Sequence, residues 1–162
     1  VYKGFQDLLS LGWIERLPRL IGVQAEGSAA IANAFLAGKD TIEPVNAVTI
    51  ADSISVNLPR DGFRALRAVR ETHGTYIKVS DEEILQSIPT LGKVGIFVEP
   101  AAAAAFAGLV KALETCQQDP GAPVLVLCTG SGLKDINAAI RSVPAAPVIE
   151  PTIQALKKVI YG

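Results

Sequence analysis

Phe5, Leu8, Leu9 and, less regularly, Tyr2 recur at helical spacing over residues 2–11, and Gly12 follows where a left-handed C-cap residue stands. The chain therefore opens with a helix. Leu20 to Ala25 is a short, mostly apolar run that stops at Glu26-Gly27-Ser28, after which Ala29, Ala30, Ala32, Ala34 and Leu36 favour helix as far as Gly38. Between Lys39 and Pro59, the residues Pro44, Asn46, Asp52, Ser53, Ser55 and Asn57 interrupt any period, which predicts a long loop of the functional kind. Helical period returns from Pro59 to Thr72, with Phe63, Ala65, Leu66 and Val69 on one face and Arg60, Arg64, Arg67 and Arg70 mainly on the other. His73-Gly74 ends it.

Thr75 to Val79 is β-branched and aromatic, as a strand requires, and Ser80-Asp81-Glu82-Glu83 reads as a capping box that opens a short helix failing at Pro89. Gly95 to Val98 is a third strand candidate. Glu99-Pro100 then opens an alanine-rich helix to about Thr115, with the proline preset for a first turn. Pro123 to Cys128 is apolar without alternation, the pattern of a strand covered on both faces. After it come the glycine loop Thr129-Gly130-Ser131-Gly132, a short helix to about Ser142, a stiff connection through Pro144, Pro147 and Pro151, and a final helix from Thr152 to Ile160. Four strand candidates alternating with helices predict an α/β fold: a mostly parallel sheet of about four strands with helices on both faces.

At 162 residues the chain amounts to one domain or part of one, and 49% hydrophobic against 19% charged residues, where ~25% charged is usual, predicts an apolar surface. The apolar composition also predicts self-association into a homo-oligomer. A net charge of −1 offers nucleic acid and anionic membranes no general attraction, so neither is an expected partner. Cys116 and Cys128 lack the spacing of a zinc site or a disulfide framework and read as reduced core thiols. No apolar run reaches the ~18 residues of a membrane span, and no basic segment precedes a hydrophobic stretch, so the expected location is the cytoplasm. The absence of methionine and a first helix with no capping residue ahead of it lead us to expect a piece of a longer chain.

In parallel sheets ligands collect at the carboxyl ends of strands, which points to the loops at Glu26-Gly27-Ser28, Ser80-Asp81, Glu99-Pro100 and Thr129 to Gly132. Glycines after a strand let backbone amides approach a ligand, and the Thr129 hydroxyl is suited to an aromatic nitrogen or a phosphate. A tight turn explains the same glycines, and spacing alone leaves both readings open. The loop is neither a dinucleotide fingerprint nor a Walker loop. Glu99 is placed either to cap the helix it precedes or to face the crevice of Thr129. Glu26, Ser28, Ser80 and Asp81 read as end-caps, and the arginine row as a solvated face. His73, the single histidine, reads as a helix-end residue rather than a general base, and its isolation excludes most metal sites built on several histidines. We expect no metal ligands. No Ser-His-Asp order or G-x-S-x-G elbow suggests a serine hydrolase. Lys134 lies beyond Leu133 from the glycine loop, and a solvated position is expected of it.

Val98-Glu99-Pro100-Ala101-Ala102 and Leu127-Cys128-Thr129-Gly130-Ser131-Gly132-Leu133-Lys134-Asp135 resemble the carboxyl-terminal half of threonine synthases. Lys3-Gly4-Phe5, Ile21 to Gly27 and Ser80 to Ile84 extend the resemblance over nearly all of residues 1 to ~150. It implies a fold-type-II enzyme with the tryptophan-synthase-β type of fold and pyridoxal 5'-phosphate as cofactor. It also implies the substrate O-phosphohomoserine, converted with water to threonine and phosphate. Thr129 matches the family's threonine whose hydroxyl bonds the pyridine nitrogen, with Gly130, Ser131 and Gly132 forming the supporting turn. A neutral hydroxyl there leaves the ring a moderate electron sink. Glu99 matches by position as a wall of the crevice, and Ala51-Asp52-Ser53 matches a stretch that borders the substrate.

The resemblance departs at its start: the family's Schiff-base lysine stands in an earlier Ser-x-Lys-Asp context, and its phosphate-binding glycine loop precedes the Lys-Gly-Phe. None of the eight lysines here has that context, which leaves the catalytic lysine unknown. The expectation is a carboxyl-terminal part, inactive alone, whose partner is the amino-terminal half of the same protein. Residues 1–143 would then belong to the cofactor-binding α/β domain and 144–162 to a proline-rich connection and terminal helix. Serine/threonine dehydratases and cysteine synthases share the Glu-Pro-Ala and glycine-loop motifs and form the nearest alternative. A non-catalytic α/β module for a phosphate-bearing ligand is the alternative of another class.

Overall fold

The computed structural model describes residues 1–115 and 121–161. Its centre is a pair of parallel strands, β1 (Ile21–Ala25) and β2 (Thr75–Val79), in the register Ile21↔Thr75 to Ala25↔Val79. The chain crosses from one to the other through α2 (Ala30–Leu36), the long loop and α3 (Gly62–Glu71). Strand side chains alternate between faces, so each face of the pair builds its own core. On one face Ile21, Val23, Ala25, Ile77 and Val79 meet α4 (Asp81–Gly92) and α5 (Pro100–Glu114) through Ile84, Ile88, Leu91 and the alanines 102, 103, 104, 107 and 112. On the other, Tyr76 packs with Leu66 and Val69 of α3, Ile31 and Ala32 of α2, and Leu20. Helices cover both faces of a parallel sheet, and the fold class is α/β.

The alanine run of α5 has a geometric use. Small side chains let the helix approach the sheet so closely that a Cβ on Gly108 would fall 2.3 Å from a methyl of Val23. Across the sheet the ring of Tyr76 lies over Gly22, its register partner, and burial pushes the Tyr76 hydroxyl up to about 12. The remaining helices are α1 (Tyr2–Ser10), α6 (Ile136–Arg141) and α7 (Ile153–Tyr161). Neither α1 nor α7 buries a residue. Among the described residues no helix is long and apolar enough to cross a membrane.

Two expectations are corrected. Among the described residues the sheet has two strands rather than about four. Residues 95–97 are exposed, and only Val98 pairs, antiparallel, in an isolated bridge to Ser131. Residues 123–128 form no strand, and Leu125 is 79% exposed. Apolar runs of this kind become strands only where a neighbouring edge supplies hydrogen-bond partners, and among the described residues the two runs find no more than the bridge at Val98. The helix at Asp81 does not fail at Pro89 but continues to Gly92. A proline costs a helix interior roughly 3 kcal/mol, but Ile88 and Leu91, on either side of it, are both buried in the core, and their packing outweighs that loss. His73 takes the left-handed position after α3, at φ 51°. Gly74 follows because a Cβ there would fall 1.8 Å from the Leu20 carbonyl oxygen. Cys128 is half-buried against the first core, where burial pushes its thiol up, and Cys116 lies outside the described residues.

Candidate functional site

The carboxyl ends of the strands are organised by short polar side chains. Ser80 caps α4 as its sequence predicts: its Oγ accepts the Glu83 amide at 3.1 Å, and its own amide donates to Glu83 Oε2 at 2.6 Å. Burial raises the Glu83 carboxyl, but the Ser80 amide and the Lys111 ammonium, 3.0 Å away, outweigh it and hold the group below the usual carboxylate range. Lys111 also lies 3.6 Å from Glu26. Ser28, 2% exposed, donates to the carbonyls of Ile54 and Val56 and accepts the Val56 amide at 3.0 Å. Asp81 accepts from the Thr49 hydroxyl and, at 3.1 Å, from the Ile50 amide. Ser28 and Asp81 thus pin the long loop to the strand ends. They serve the loop rather than the helices they were expected to cap.

That pinning sets the 3₁₀ turn Asp52–Ile54 beside the start of α5. Here a cleft of about 190 Å³ is lined by Asp52, Ser53, Glu99, Pro100, Ala101, Lys134 and Asp135. Ala51, fully buried, belongs to the core beneath it. Glu99 precedes α5, but its side chain makes no capping bond. Instead its carboxylate, on a residue 6% exposed, lies 2.9 Å from Lys134 Nζ at both oxygens and accepts weakly from Ser53 Oγ at 3.5 Å. The capping explanation of Glu99 therefore falls away.

The glycine loop is joined to Glu99 through the main chain. The Glu99 amide donates to the Gly130 carbonyl at 3.1 Å, and the Gly132 amide donates to the Phe97 carbonyl at 3.1 Å. Both glycines are forced by close approach. A Cβ on Gly130 would fall 1.8 Å from Glu99 Oε1, and one on Gly132 would fall 2.4 Å from the Phe97 ring. Ser131 accepts the Leu133 amide and so shapes the 3₁₀ turn Gly132–Lys134 that delivers Lys134. Asp135 caps α6, its Oδ1 accepting the Ala138 amide at 3.0 Å. Thr129 is exposed next to this turn and does not line the cleft. Its hydroxyl, and the amides of Gly130 and Ser131, make no hydrogen bond among the described residues. No group of three or more His, Cys, Asp or Glu side chains is arranged to hold a metal among those residues.

Glu99 and the loop 129–132 are thus brought together, and Asp52 and Ser53 reach the same cleft. Lys134 is 59% exposed, as the solvated position expected of it requires, but its pairing with Glu99 was not anticipated. The available signal was a lone cation two residues past a glycine loop, with a lone carboxylate ending an earlier apolar run. Chemically, the rim offers a free hydroxyl and free amides beside a carboxylate whose charge is already matched. A pyridine ring nitrogen fits such a hydroxyl, because a neutral group accepts or donates there without imposing a proton, and the ammonium of Lys134 keeps Glu99 from presenting a bare charge.

The family model for pyridoxal-phosphate dependent enzymes matches residues 1–130. Over its whole length the chain is 38% identical to the threonine synthase of Methanosarcina acetivorans, and over 99% of it 39% identical to that of Methanocaldococcus jannaschii. It spans about 40% of the length of each of these relatives. Among solved structures, Escherichia coli threonine synthase aligns with a TM-score of 0.66 at 19% identity, over 94% of this chain and 39% of that one. Isoform 2 of threonine deaminase from Solanum lycopersicum also gives 0.66, at 16% identity over 87% of this chain and 39% of its own. These two likenesses concern the fold.

Proposed function

Because the chain belongs to the family of pyridoxal-phosphate dependent enzymes, we propose that it is the carboxyl-terminal part of a threonine synthase, which converts O-phosphohomoserine and water to threonine and phosphate. The identity of 38–39% to threonine synthases over the full chain carries this reading. The cofactor, when bound, supplies an electron sink for carbanions formed beside the amino group of the substrate. This chain's residues provide one edge of its site. Thr129 bonds the ring nitrogen through a neutral hydroxyl, so the nitrogen is not held protonated. Gly130, Ser131 and Gly132 form the turn that presents that hydroxyl, and Glu99 walls the crevice. Asp52 and Ser53 border the substrate, the exposed side chain of Ser53 donating and that of Asp52 accepting.

The lysine that links covalently to the cofactor belongs to the remainder of the protein, so the 162 residues alone are catalytically inactive. Two experiments test these statements. In the full-length protein, phosphate release from O-phosphohomoserine should exceed ammonia release from serine or threonine by orders of magnitude; the reverse order would make it a dehydratase. With the isolated chain and pyridoxal phosphate, borohydride should trap no specific covalent adduct. A stoichiometric adduct would place the anchoring lysine here and overturn the division of labour.

A further inference from the structure

Among the described residues Lys134 is the one cation lining the Glu99 cleft, and the ammonium of this 59% exposed side chain sits 2.9 Å from both oxygens of a carboxylate that is almost fully buried. A carboxylate so placed needs a counter-charge, since the Ser53 hydroxyl at 3.5 Å is a weak substitute. The same carboxylate lies against the Cα of Gly130, and the Glu99 amide holds the Gly130 carbonyl. Glu99 therefore contacts the glycine turn three ways: through its main chain, through van der Waals contact, and through an ion pair that reaches over the turn to its far side. Thr129 is covalently next to Gly130. Any movement of the Glu99 carboxylate is passed to the hydroxyl at 129 through a residue with no side chain to absorb it.

We propose that Lys134 is a positioning residue: its ion pair with Glu99 clasps the turn 129–132 and so fixes the Thr129 hydroxyl toward the cofactor ring. This rests on the cofactor-site reading given above. Without the ammonium, Glu99 swings toward water through the open side of the cleft, Gly130 loses its packing partner, and the hydroxyl is no longer held in one place. The clasp acts on the cofactor's ring nitrogen only through Thr129.

The test uses the full-length protein and pyridoxal 5'-phosphate itself, titrated into apoprotein and followed by visible absorbance. Lys134→Met should weaken cofactor retention about tenfold and move the absorption maximum of the bound cofactor, because the polarity at the ring nitrogen changes. Lys134→Arg, which keeps the charge and reach, should restore both. The pair Glu99→Gln with Lys134→Met removes both charges and should recover most of what Lys134→Met alone loses. A merely structural role would lower thermal stability without moving the absorption maximum. Retention within twofold of the unaltered protein, with an unchanged spectrum, overturns the proposal. Should Lys134→Met fail to fold, Lys134→Gln, which also leaves the Glu99 carboxylate without its ammonium, carries the test by the same two readouts. An unaltered protein that binds no pyridoxal phosphate overturns both this proposal and the function it rests on, whereas normal binding with indifferent variants overturns the clasp alone.

Discussion

Two apolar segments of equal promise end in opposite circumstances. Thr75–Val79 is paired along its length with β1, and Tyr76, Ile77 and Val79 are buried. Residues 123–128, more uniformly apolar, pair with nothing among the described residues, and Val124, Leu125 and Leu127 stand exposed. The contrast shows that apolar content nominates a strand while backbone partners elect it. It also locates the apolar surface expected from composition: Leu125, Leu133, Ile140, Val148 and Tyr161 are all more than 60% exposed.

The comparison is sharpened most by deleting a side chain on each side of it. Ile84→Ala, at a position with no exposure, should cost 2–5 kcal/mol in urea unfolding, roughly the range for a buried isoleucine truncation. Gly130→Ala forces a methyl against the Glu99 carboxylate and should cost about 1–3 kcal/mol, with loss of the bound cofactor in the full-length protein. Ser80→Ala removes one half of the capping box and should cost about 1 kcal/mol by the same unfolding measurement.

Below these comes a pH effect. The Glu83 carboxyl is lower in the folded chain than in the unfolded one, so its contribution is present above the ordinary carboxylate pKa of about 4.3 and is lost as pH falls through the folded value. Glu83→Gln should flatten that acid limb of the urea midpoint. Its size is small because Glu83 and Lys111 are each about one third exposed. Smallest is Leu125→Asp: stability should stay within about 0.5 kcal/mol while light scattering from concentrated chain falls. A cost above 2 kcal/mol would mean that residues 123–128 are buried after all, and unchanged scattering would separate them from any self-association.

What could be read beforehand was local. The capping box, the left-handed Gly12, the first turn at Pro100 and the interruption from Lys39 to Pro59 depend on residues a few positions apart, and each stands where the pattern puts it. So do the strands β1 and β2, though nothing local said that they would pair with one another. What could not be read depends on distant partners. Pro89 is overridden by packing from α5, and Ser28 and Asp81 find loop carbonyls and amides some thirty residues away. The Glu99–Lys134 contact joins residues separated by the whole of α5. For the same reason the strand-end rule brought the loop 129–132 and Glu99 together but not Thr129 into the cleft itself, and the signal for Lys134, a lone cation past a glycine loop, gained meaning only from the distant carboxylate.

The anchoring of the long loop bears on how a protease would meet this chain. Irregular and over fifteen residues long, that loop has the look of a preferred cutting site, yet Val45, Ala47, Val48, Ile50 and Val56 all have their amides tied to Asn57, Gly27, Asp81 or Ser28. A protease needs several consecutive residues drawn out into its groove, and here that would mean breaking bonds at both strand ends at once. The first cut should instead fall at Val124 to Leu127, where the peptide groups are held by nothing else in the described chain.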